Sequence, residues 1–408
     1  MALIVQKYGG SSVGTIDRIR NVARRLIETK NAGNKVVAVI SAMSGVTDKL
    51  IGLAHEVMDN PPERELDMLM ATGEQQSIAL LCMAITDMGY KARSFTGAQA
   101  GICTYGSHTR GRIDSIQPDK VVQALDEDCI VVCAGFQGVT KDGTIHTLGR
   151  GGSDLSAIAM AAAIKADLCQ IYTDVDGVYT CDPRVVKDAR KIPVLSYEEM
   201  LEMASSGSKV MQARSVEFAK KFGVVFEVRN SMNSNPGTIV QGENPAMESL
   251  VVRGVSIERN QARVTVSGIT APVAYTALIL SALAKAEINV DMIVANTAHD
   301  GQARQSFTMN MSDLGAAQAA LKALLPQLGA AAKLETEAGL AKLSVVGVGM
   351  RSNPGVAATV FQTLADAGIQ TGMIATSEIR ITTTVEAADI EMAARVVHAA
   401  FNLDQVSA

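Results

Sequence analysis

Thr147-Leu148-Gly149-Arg150-Gly151-Gly152-Ser153-Asp154, running straight into the apolar stretch Leu155 to Ile164, decides how this chain is read. It is a glycine-rich loop opening a buried helix. Ser153 or Asp154 can serve as the N-cap, and the alanine-rich run from Ala157 to Ala163 strongly favours helix. A helix start with small residues before it presents unpaired backbone N–H groups and a partial positive charge, which suits phosphate or carboxylate. Arg150 adds a planar fork for a carboxylate. Asp154 sets a negative charge beside that anion site, where it could orient a lysine, a metal ion or a substrate amine. A lone Gly-Gly would equally fit a tight capped turn. The other loops of the chain decide between the two.

Working outward, the same pattern recurs at strand ends. Leu3–Val5 is a short apolar strand, followed by Lys7-Tyr8-Gly9-Gly10-Ser11-Ser12 and a helical pattern through Ile16, Ile19, Val22 and Leu26. The G-x-x-x-x-G-K-[ST] loop is absent, but Lys7 at the strand end can reach a phosphate as a point charge. Val36–Ile40 reads as a buried parallel strand ending in Ser41-Ala42-Met43-Ser44-Gly45-Val46-Thr47, with a helix from Asp48. Glu65 to Met88 is helix-rich and interrupted at Thr72-Gly73-Glu74, where Glu74 is a capping carboxylate or a partner for a substrate amine. Cys129–Ala134 is a strand running into the loop Gly135-Phe136-Gln137-Gly138. Ala166–Tyr172 is the next strand and leads into the carboxylate- and hydroxyl-rich Thr173–Arg184. In such an α/β alternation, ligands sit beyond the strand C-termini. Ser206-Gly207-Ser208-Lys209 is a further phosphate candidate. Val224–Val228 is expected to be the last strand of this part, with a boundary in the turn-rich residues up to Met247.

After that boundary the chain repeats itself. Ala262–Ile269 has a counterpart in Ala341–Val348. Each is followed by a helix (Val273–Ala284; Gly355–Ala367), a strand (Ile288–Ile293; Ile369–Ile374), another strand (Gln305–Met311; Glu378–Val385) and a final helix (Ala316–Leu325; Ile390–Phe401). This β-α-β-β-α order is that of a ferredoxin-like module used twice. It lacks the polar loops of the first part, so it reads as a binding rather than a catalytic half.

Composition narrows the classes. With 408 residues the chain is too long for one ordinary domain. A net charge of −5 gives no reason to expect nucleic acid or an anionic membrane as partner. The apolar runs Leu155–Ile164 and Ala271–Ala284 each stop at a lysine, too short to span a bilayer, and the N-terminus has no signal-like pattern. None of the six cysteines forms a C-x-x-C pair, which points to reduced thiols in a cytoplasmic protein. The five scattered histidines argue against a structural zinc site. Any metal is expected to be Mg2+ held by carboxylate and phosphate oxygens.

Together, Lys7–Ser12, Ser41–Gly45, Thr72-Gly73-Glu74, Leu148–Asp154 and Thr173–Arg184 resemble the aspartate kinase family of the amino-acid kinase fold, and the repeat resembles paired ACT domains. The resemblance implies a three-layer α/β kinase domain with a mainly parallel sheet over 1–245. Two βαββαβ ACT domains would follow, over 262–335 and 336–408, the 249–261 segment joining the second. It further implies transfer of the γ-phosphoryl of MgATP to the β-carboxylate of L-aspartate, directly and in line, at the head of lysine, threonine, methionine and diaminopimelate synthesis. Lys7 and Asp154 would be the catalytic pair. Ser41, Thr47, Glu74, Phe136, Arg150 and Ser153 would line the aspartate pocket, with Arg150 on the α-carboxylate and Glu74 near the amine. Lys7, Gly9, Gly10, Ser11, Thr173, Asp174, Tyr179, Asp182, Arg184 and Lys209 would hold ATP. Lysine and/or threonine would act as effectors at an interface between two chains. Candidate effector residues are Met350, Ser352, Asn353, Gly355, Val356, Gln370, Thr371 and Glu378, with Asn289 and Asp291 in the first copy. The first copy departs from the family pattern at Thr270-Ala271-Pro272-Val273-Ala274, which lacks an acidic residue and a Pro-Gly. A homodimer or higher oligomer is implied, and Met247 could start a separate regulatory chain.

Two other readings fit fewer residues. Another amino-acid kinase, such as a glutamate 5-kinase or a nucleoside monophosphate kinase, leaves the Thr-Gly-Glu and Arg-Gly-Gly-Ser-Asp loops and the ACT pair unexplained. An ACT-based sensor with a degenerate kinase domain conflicts with the intact charges at Lys7, Glu74, Arg150, Asp154 and Lys209.

Overall fold

The computed structural model describes residues 1–208, 210–242, 251–270, 274–297 and 302–405. They form two compact units. The first comprises 1–178, 191–204 and 210–242; the second comprises 179–190, 205–208 and the residues from 251 onward.

In chain order the first unit holds β1 (Leu3–Tyr8), α1 (Ile16–Asn31), β2 (Lys35–Ile40), α2 (Val46–Val57), α3 (Glu63–Asp87), β3 (Ala92–Phe95), β4 (Ile102–Tyr105), β5 (Arg112–Ile116), α4 (Asp119–Asp126), β6 (Ile130–Ala134), β7 (Gln137–Val139) and β8 (Ile145–Thr147). It continues with α5 (Gly152–Ala163), β9 (Leu168–Thr173), β10 (Val194–Ser196), α6 (Tyr197–Ser205), α7 (Ala213–Phe222), β11 (Phe226–Asn230) and β12 (Thr238–Gln241). The main sheet runs β10-β12-β11-β9-β1-β2-β6-β3. Its pairs are parallel except β11–β12, which is antiparallel. Both faces are covered, as continuous apolar strands require. On one face Val36, Ala38 and Ile40 join the core formed by Ile19, Val22 and Leu26 of α1 and Ile78, Leu81 and Ile85 of α3. The alternate residues Val37 and Val39 are just as buried on the other face, where α5 packs against β1 and β2.

Several local expectations are corrected. The helix after the glycine loop is capped by Gly151, not by Ser153 or Asp154, which lie in its first turn. Gly151 has φ +73°, and a Cβ there would lie 2.0 Å from Gln212 Cγ, so only glycine fits. Thr72-Gly73-Glu74 does not interrupt a helix: α3 is continuous from Glu63 to Asp87. Gly73 serves packing instead, since a Cβ would sit 2.9 Å from the Ala42 methyl. Val224–Val228 is not the last strand, because β12 returns antiparallel on β11. Short strands β5, β4, β7 and β8 form a small second sheet; of these the sequence predicts only β4, as a short strand over Gly101–Thr104, just as it predicts β3 over Ala92–Thr96. By length and apolar content α3 could cross a membrane, but it buries Met70, Ile78, Leu81 and Ile85 in this unit.

The second unit contains β13 (Gly254–Ile269), α8 (Tyr275–Lys285), β14 (Asp291–Thr297), β15 (Ala303–Asn310), α9 (Leu314–Leu328), β16 (Lys333–Val346), α10 (Val356–Asp366), β17 (Ile374–Thr376), β18 (Arg380–Glu386) and α11 (Ile390–Ala400). Its sheet runs β14-β15-β13-β16-β18-β17, antiparallel throughout. β13 and β16 are each shared by both repeats. Arg263–Ser267 pairs with Lys333–Glu337, and Gly254–Glu258 pairs with Lys342–Val346 across a register shift. The strand expected at Ile369–Ile374 is only Ile374–Thr376, because Ile369 N–H closes α10 by donating to Leu364 O at 2.9 Å. The expected Ile288–Ile293 begins as strand at Asp291. Each repeat has its own core: Val264, Ile279, Phe307 and Leu321 in the first, Val255, Leu343, Val360 and Val397 in the second. Cys181, Val185 and Val186 of the 179–190 segment belong to that second core.

Leu26 is fully buried between α1 and the sheet. Leu26→Ala is expected to cost about 2–5 kcal/mol, through lost transfer energy and the cavity left behind. A guanidinium melt that leaves the unfolding midpoint unmoved would contradict this packing.

Candidate active site

The site follows from strand order. β9, β1, β2 and β6 are adjacent and parallel, so their C-terminal ends lie along one edge. From β1 the chain goes to β2 on one side, and β9 later arrives on the other. This makes the β1 tip a topological switch point, where ligands of open α/β sheets bind. A cavity of ≈ 330 Å³ lies there, lined by residues following β1, β2 and β6, by Glu74 of α3, and by Gly149–Asp154 at the start of α5.

Lys7 and Asp154 meet at its floor. Lys7 Nζ lies 2.6 Å from Asp154 Oδ1, with side chains 11% and 12% exposed. Asp154 is in the first turn of α5, near the positive end of the helix dipole. Glu74 is 2% exposed. Its Oε1 accepts from Ala42 N at 3.1 Å, while the buried Oε2 has no protein partner. Burial pushes the Glu74 carboxyl up to about 7, with the Ala42 N–H opposing the shift. An unsatisfied buried carboxylate facing a cavity is a receptor for a cation. Phe136 adopts φ +66°, an uncommon conformation for a bulky residue. It is held by Ser156 Oγ, which accepts from Phe136 N at 3.1 Å, and by Leu148 N, which donates to Phe136 O at 2.8 Å.

The Gly149–Gly151 loop is braced from behind. Arg214 donates to Leu148 O at 3.0 Å and to Gly111 O at 2.9 Å. Asp67, fully buried on α3, accepts from Thr147 Oγ1 at 2.6 Å, from Thr109 N at 3.1 Å and from His108 Nδ1 at 2.7 Å. Sequence reasoning missed these braces. Their members are far apart in the chain and carry no motif.

The amino acid kinase family model matches residues 2–230, and an ACT domain model matches 343–401. The chain is 50% identical over 408 residues to an aspartokinase of Geobacillus stearothermophilus, covering 100% of this chain and 99% of that one. It is 47% identical to aspartokinase 2 of Bacillus subtilis, covering 99% of each. The chain belongs to the aspartokinase family. Among solved structures, E. coli aspartokinase III in complex with aspartate and ADP (R-state) superposes with TM-score 0.80 at 25% identity, over 98% of this chain and 99% of that one. Aspartate kinase from Synechocystis gives TM-score 0.55 at 38% identity, over 100% of this chain and 70% of that one.

Of the residues that the aspartokinase resemblance assigns, Lys7, Gly9, Gly10, Ser41, Thr47, Glu74, Phe136, Arg150, Ser153 and Asp154 line the one cavity. Ser44, Gly45 and Asp48 line it too and were not expected; the small, hydroxylated character of the β2–α2 loop was the available signal. Ser11 sits behind Gly10 in a 3-10 turn. Thr173 ends β9, where Gly9 N donates to Tyr172 O at 3.3 Å, and Asp174 follows it. Tyr179, Asp182 and Arg184 lie in the 179–190 segment of the second unit, where Asp182 and Arg184 pair at 2.8 Å. Lys209 lies outside the described residues, as does the side chain of Ser352. In the second unit Asn353 donates to Gly349 O at 2.8 Å, Gly355 precedes α10 with φ +107°, and Val356 is buried. Met350 packs against the second core. Gln370 and Thr371 are exposed beyond α10 and Glu378 is exposed before β18; Asn289 is exposed before β14. Asp291 is paired with Lys342 at 2.8 Å.

Asp67 acts on this cavity only through the loop it braces. Asp67→Asn weakens the charge-assisted bonds to Thr147 and Thr109. The expected result is a rise in the KM for the carboxylate substrate of about tenfold, with kcat lowered far less. Equal loss in both parameters would mean general structural damage instead.

Proposed function

We propose that the chain is an aspartate kinase, transferring the γ-phosphoryl of MgATP to the β-carboxylate of L-aspartate to give 4-phospho-L-aspartate. The observation that carries this is the Lys7–Asp154 pair sharing one cavity with Glu74 and Arg150. Membership of a family with a relative solved in complex with aspartate and ADP supports the same reading.

The chemistry needs little from the protein beyond position and charge. The attacking carboxylate is already ionised at neutral pH, so no strong general base is required. Arg150 would grip the α-carboxylate through two hydrogen bonds, and Glu74 would take the ammonium. The β-carboxylate is then left facing Lys7. Lys7 would neutralise charge on the transferring phosphoryl group, while Asp154 holds its ammonium in place. Gly9, Gly10 and Ser11 would offer close backbone and hydroxyl donors to the phosphates, with Thr173 and Asp174 at the neighbouring strand tip. The donor set at the cavity suits Mg2+. It supplies hard oxygen ligands in Asp154, Asp48 and hydroxyls, and Asp154 is already engaged by Lys7, so the ion would rest mostly on nucleotide phosphates. Bound there, Mg2+ would supply charge neutralisation on the transferring phosphate chain, with Asp154 and Asp48 as its protein oxygens.

The family resemblance also gives Tyr179, Asp182 and Arg184 to the nucleotide, and these residues belong to the second unit. Their segment is tied into the second repeat, where Thr180 Oγ1 lies 2.9 Å from His398 Nε2. Binding of lysine and/or threonine to the ACT pair would act by shifting the population of such arrangements. Titrating each amino acid into a steady-state assay tests this; no change in rate or KM with either removes the sensor role.

The activity test is hydroxamate formation with ATP and aspartate, run beside glutamate. Aspartyl hydroxamate is expected, and product from glutamate alone overturns the assignment. Lys7→Ala is expected to lower kcat at least about 10²-fold, the scale of losing one electrostatic donor. With Glu74 at about 7 in the free protein, its charged form binds the ammonium. KM for aspartate is therefore expected to rise as pH falls below 7, by up to about tenfold per pH unit, and to flatten above it. In Glu74→Gln this dependence should vanish and KM should be high throughout. A wild-type KM flat from pH 6 to 8 would rule out the ammonium contact.

A further inference from the structure

Three side chains that phosphoryl transfer leaves unused meet behind the Arg150 loop. Asp67 comes from α3, His108 from the turn between β4 and β5, and His146 from β8. Each contributes one ligand atom, and the three atoms lie within 4.8 Å of one another. Asp67 and His146 are buried and His108 is partly exposed. The residues are far apart in the chain, so no spacing motif announces them.

We propose that Asp67, His108 and His146 bind a divalent transition-metal ion, Zn2+ or Co2+ by ligand class, at a site distinct from the Mg2+ that accompanies a nucleotide. Two imidazoles and one carboxylate suit borderline ions such as zinc and cobalt, whereas magnesium prefers an all-oxygen shell. The carboxylate is already oriented from outside the cluster, as metal-ligating carboxylates are. Thr147 Oγ1 donates to Asp67 Oδ1 at 2.6 Å, and Thr109 N lies 3.1 Å from each carboxylate oxygen.

His146 supplies the second, independent observation. It is 3% exposed, and its buried Nδ1 has no hydrogen-bond partner. A buried ring nitrogen left unpaired is costly, and a metal bound through that nitrogen would offset the cost. The two rings meet edge to face, with centroids 4.5 Å apart and planes at 80°.

The geometry needs one adjustment. His108 Nδ1 is 2.7 Å from Asp67 Oδ2, whereas two ligands about 2.0–2.2 Å from a tetrahedral ion stand roughly 3.4 Å apart. His108 is the member free to move, because its side chain is 27% exposed and it sits in a surface turn. It would bind through the nitrogen that now faces Asp67, keeping a proton on the other. Three protein ligands leave a position for water, as in open rather than closed zinc sites. Because Thr147 leads directly into Leu148, Gly149 and Arg150, occupancy would stiffen the loop that presents Arg150. The site does not depend on which substrate the cavity takes.

The test uses the full chain, stripped with chelator and titrated with Co2+ alone in magnesium-free buffer. Visible d–d bands saturating at one equivalent are expected, without the near-ultraviolet band of a cobalt–thiolate bond. His146→Ala and His108→Ala should each weaken binding at least about tenfold. Zn2+ should raise the melting temperature of the parent chain and not of the variants. His108 lies on a surface turn, so that variant keeps the test decisive if His146→Ala folds poorly by circular dichroism. Absence of d–d bands, a thiolate band, or equal affinity in a folded histidine variant would each overturn the site and leave an Asp–His hydrogen-bond network.

Discussion

The buried ion pair between Lys7 and Asp154 is the constraint on which the first unit is arranged. Removing an ammonium and a carboxylate from water costs several kcal/mol for each ion, and a contact of 2.6 Å recovers only part of it. An apolar pair of similar size would hold β1 to α5 at less cost. What the apolar pair could not do is present a cation at a strand tip, in reach of a phosphoryl group. The pair therefore reads as a functional feature that the scaffold must support. The scaffold does so by making its surroundings rigid: β1 is the centre of an eight-stranded sheet, paired on both sides, and α5 is buried over most of its length.

The same logic explains the loops. Each tip that borders the cavity is short, small in side chain and held by hydrogen bonds to a neighbour. Ser41 N donates to Tyr8 O at 3.1 Å, Gly135 N to Ile40 O at 2.9 Å and Gly9 N to Tyr172 O at 3.3 Å. Adjacent strand ends are thereby laced in series, so the edge that carries Lys7 is continuous, and α3 and the β8–α5 loop bring Glu74 and Arg150 to the same cavity. A site assembled from separate loops over 150 residues gains the precision of a single element.

Much of this was legible in the sequence because it is written in local chemistry. Apolar runs ending in small glycine- and serine-rich loops marked the strand tips, and internal repetition marked the two β-α-β-β-α modules. What stayed hidden depended on contacts between distant residues. Gly73 looks like a helix break until the Ala42 methyl is found 2.9 Å from its would-be Cβ. Gly151, not Ser153, caps α5 because Gln212 crowds the position from another part of the chain. Asp67 reads as one acidic residue in a helix until Thr109 and Thr147 close around it. Of the small sheet, β5, β7 and β8 are strands of three to five residues, too short for a period of two to register.

In the second unit the repeats are not separable bodies. β13 and β16 run through both, so the sheet is continuous and the two cores share its strands. Lys342 concentrates this sharing. Its ammonium, 7% exposed, lies 2.8 Å from Asp291 of β14 in the first repeat and 2.6 Å from Glu258 of β13, while Lys342 itself pairs with β18 in the second. A cation between two carboxylates offsets both charges, and taking it away would leave those like charges facing each other. The charge of Asp291 is thus matched from within the chain, across the seam between the repeats. Loss of that contact would loosen the strands that join the repeats, so a change at Lys342 is felt on both sides of the shared sheet.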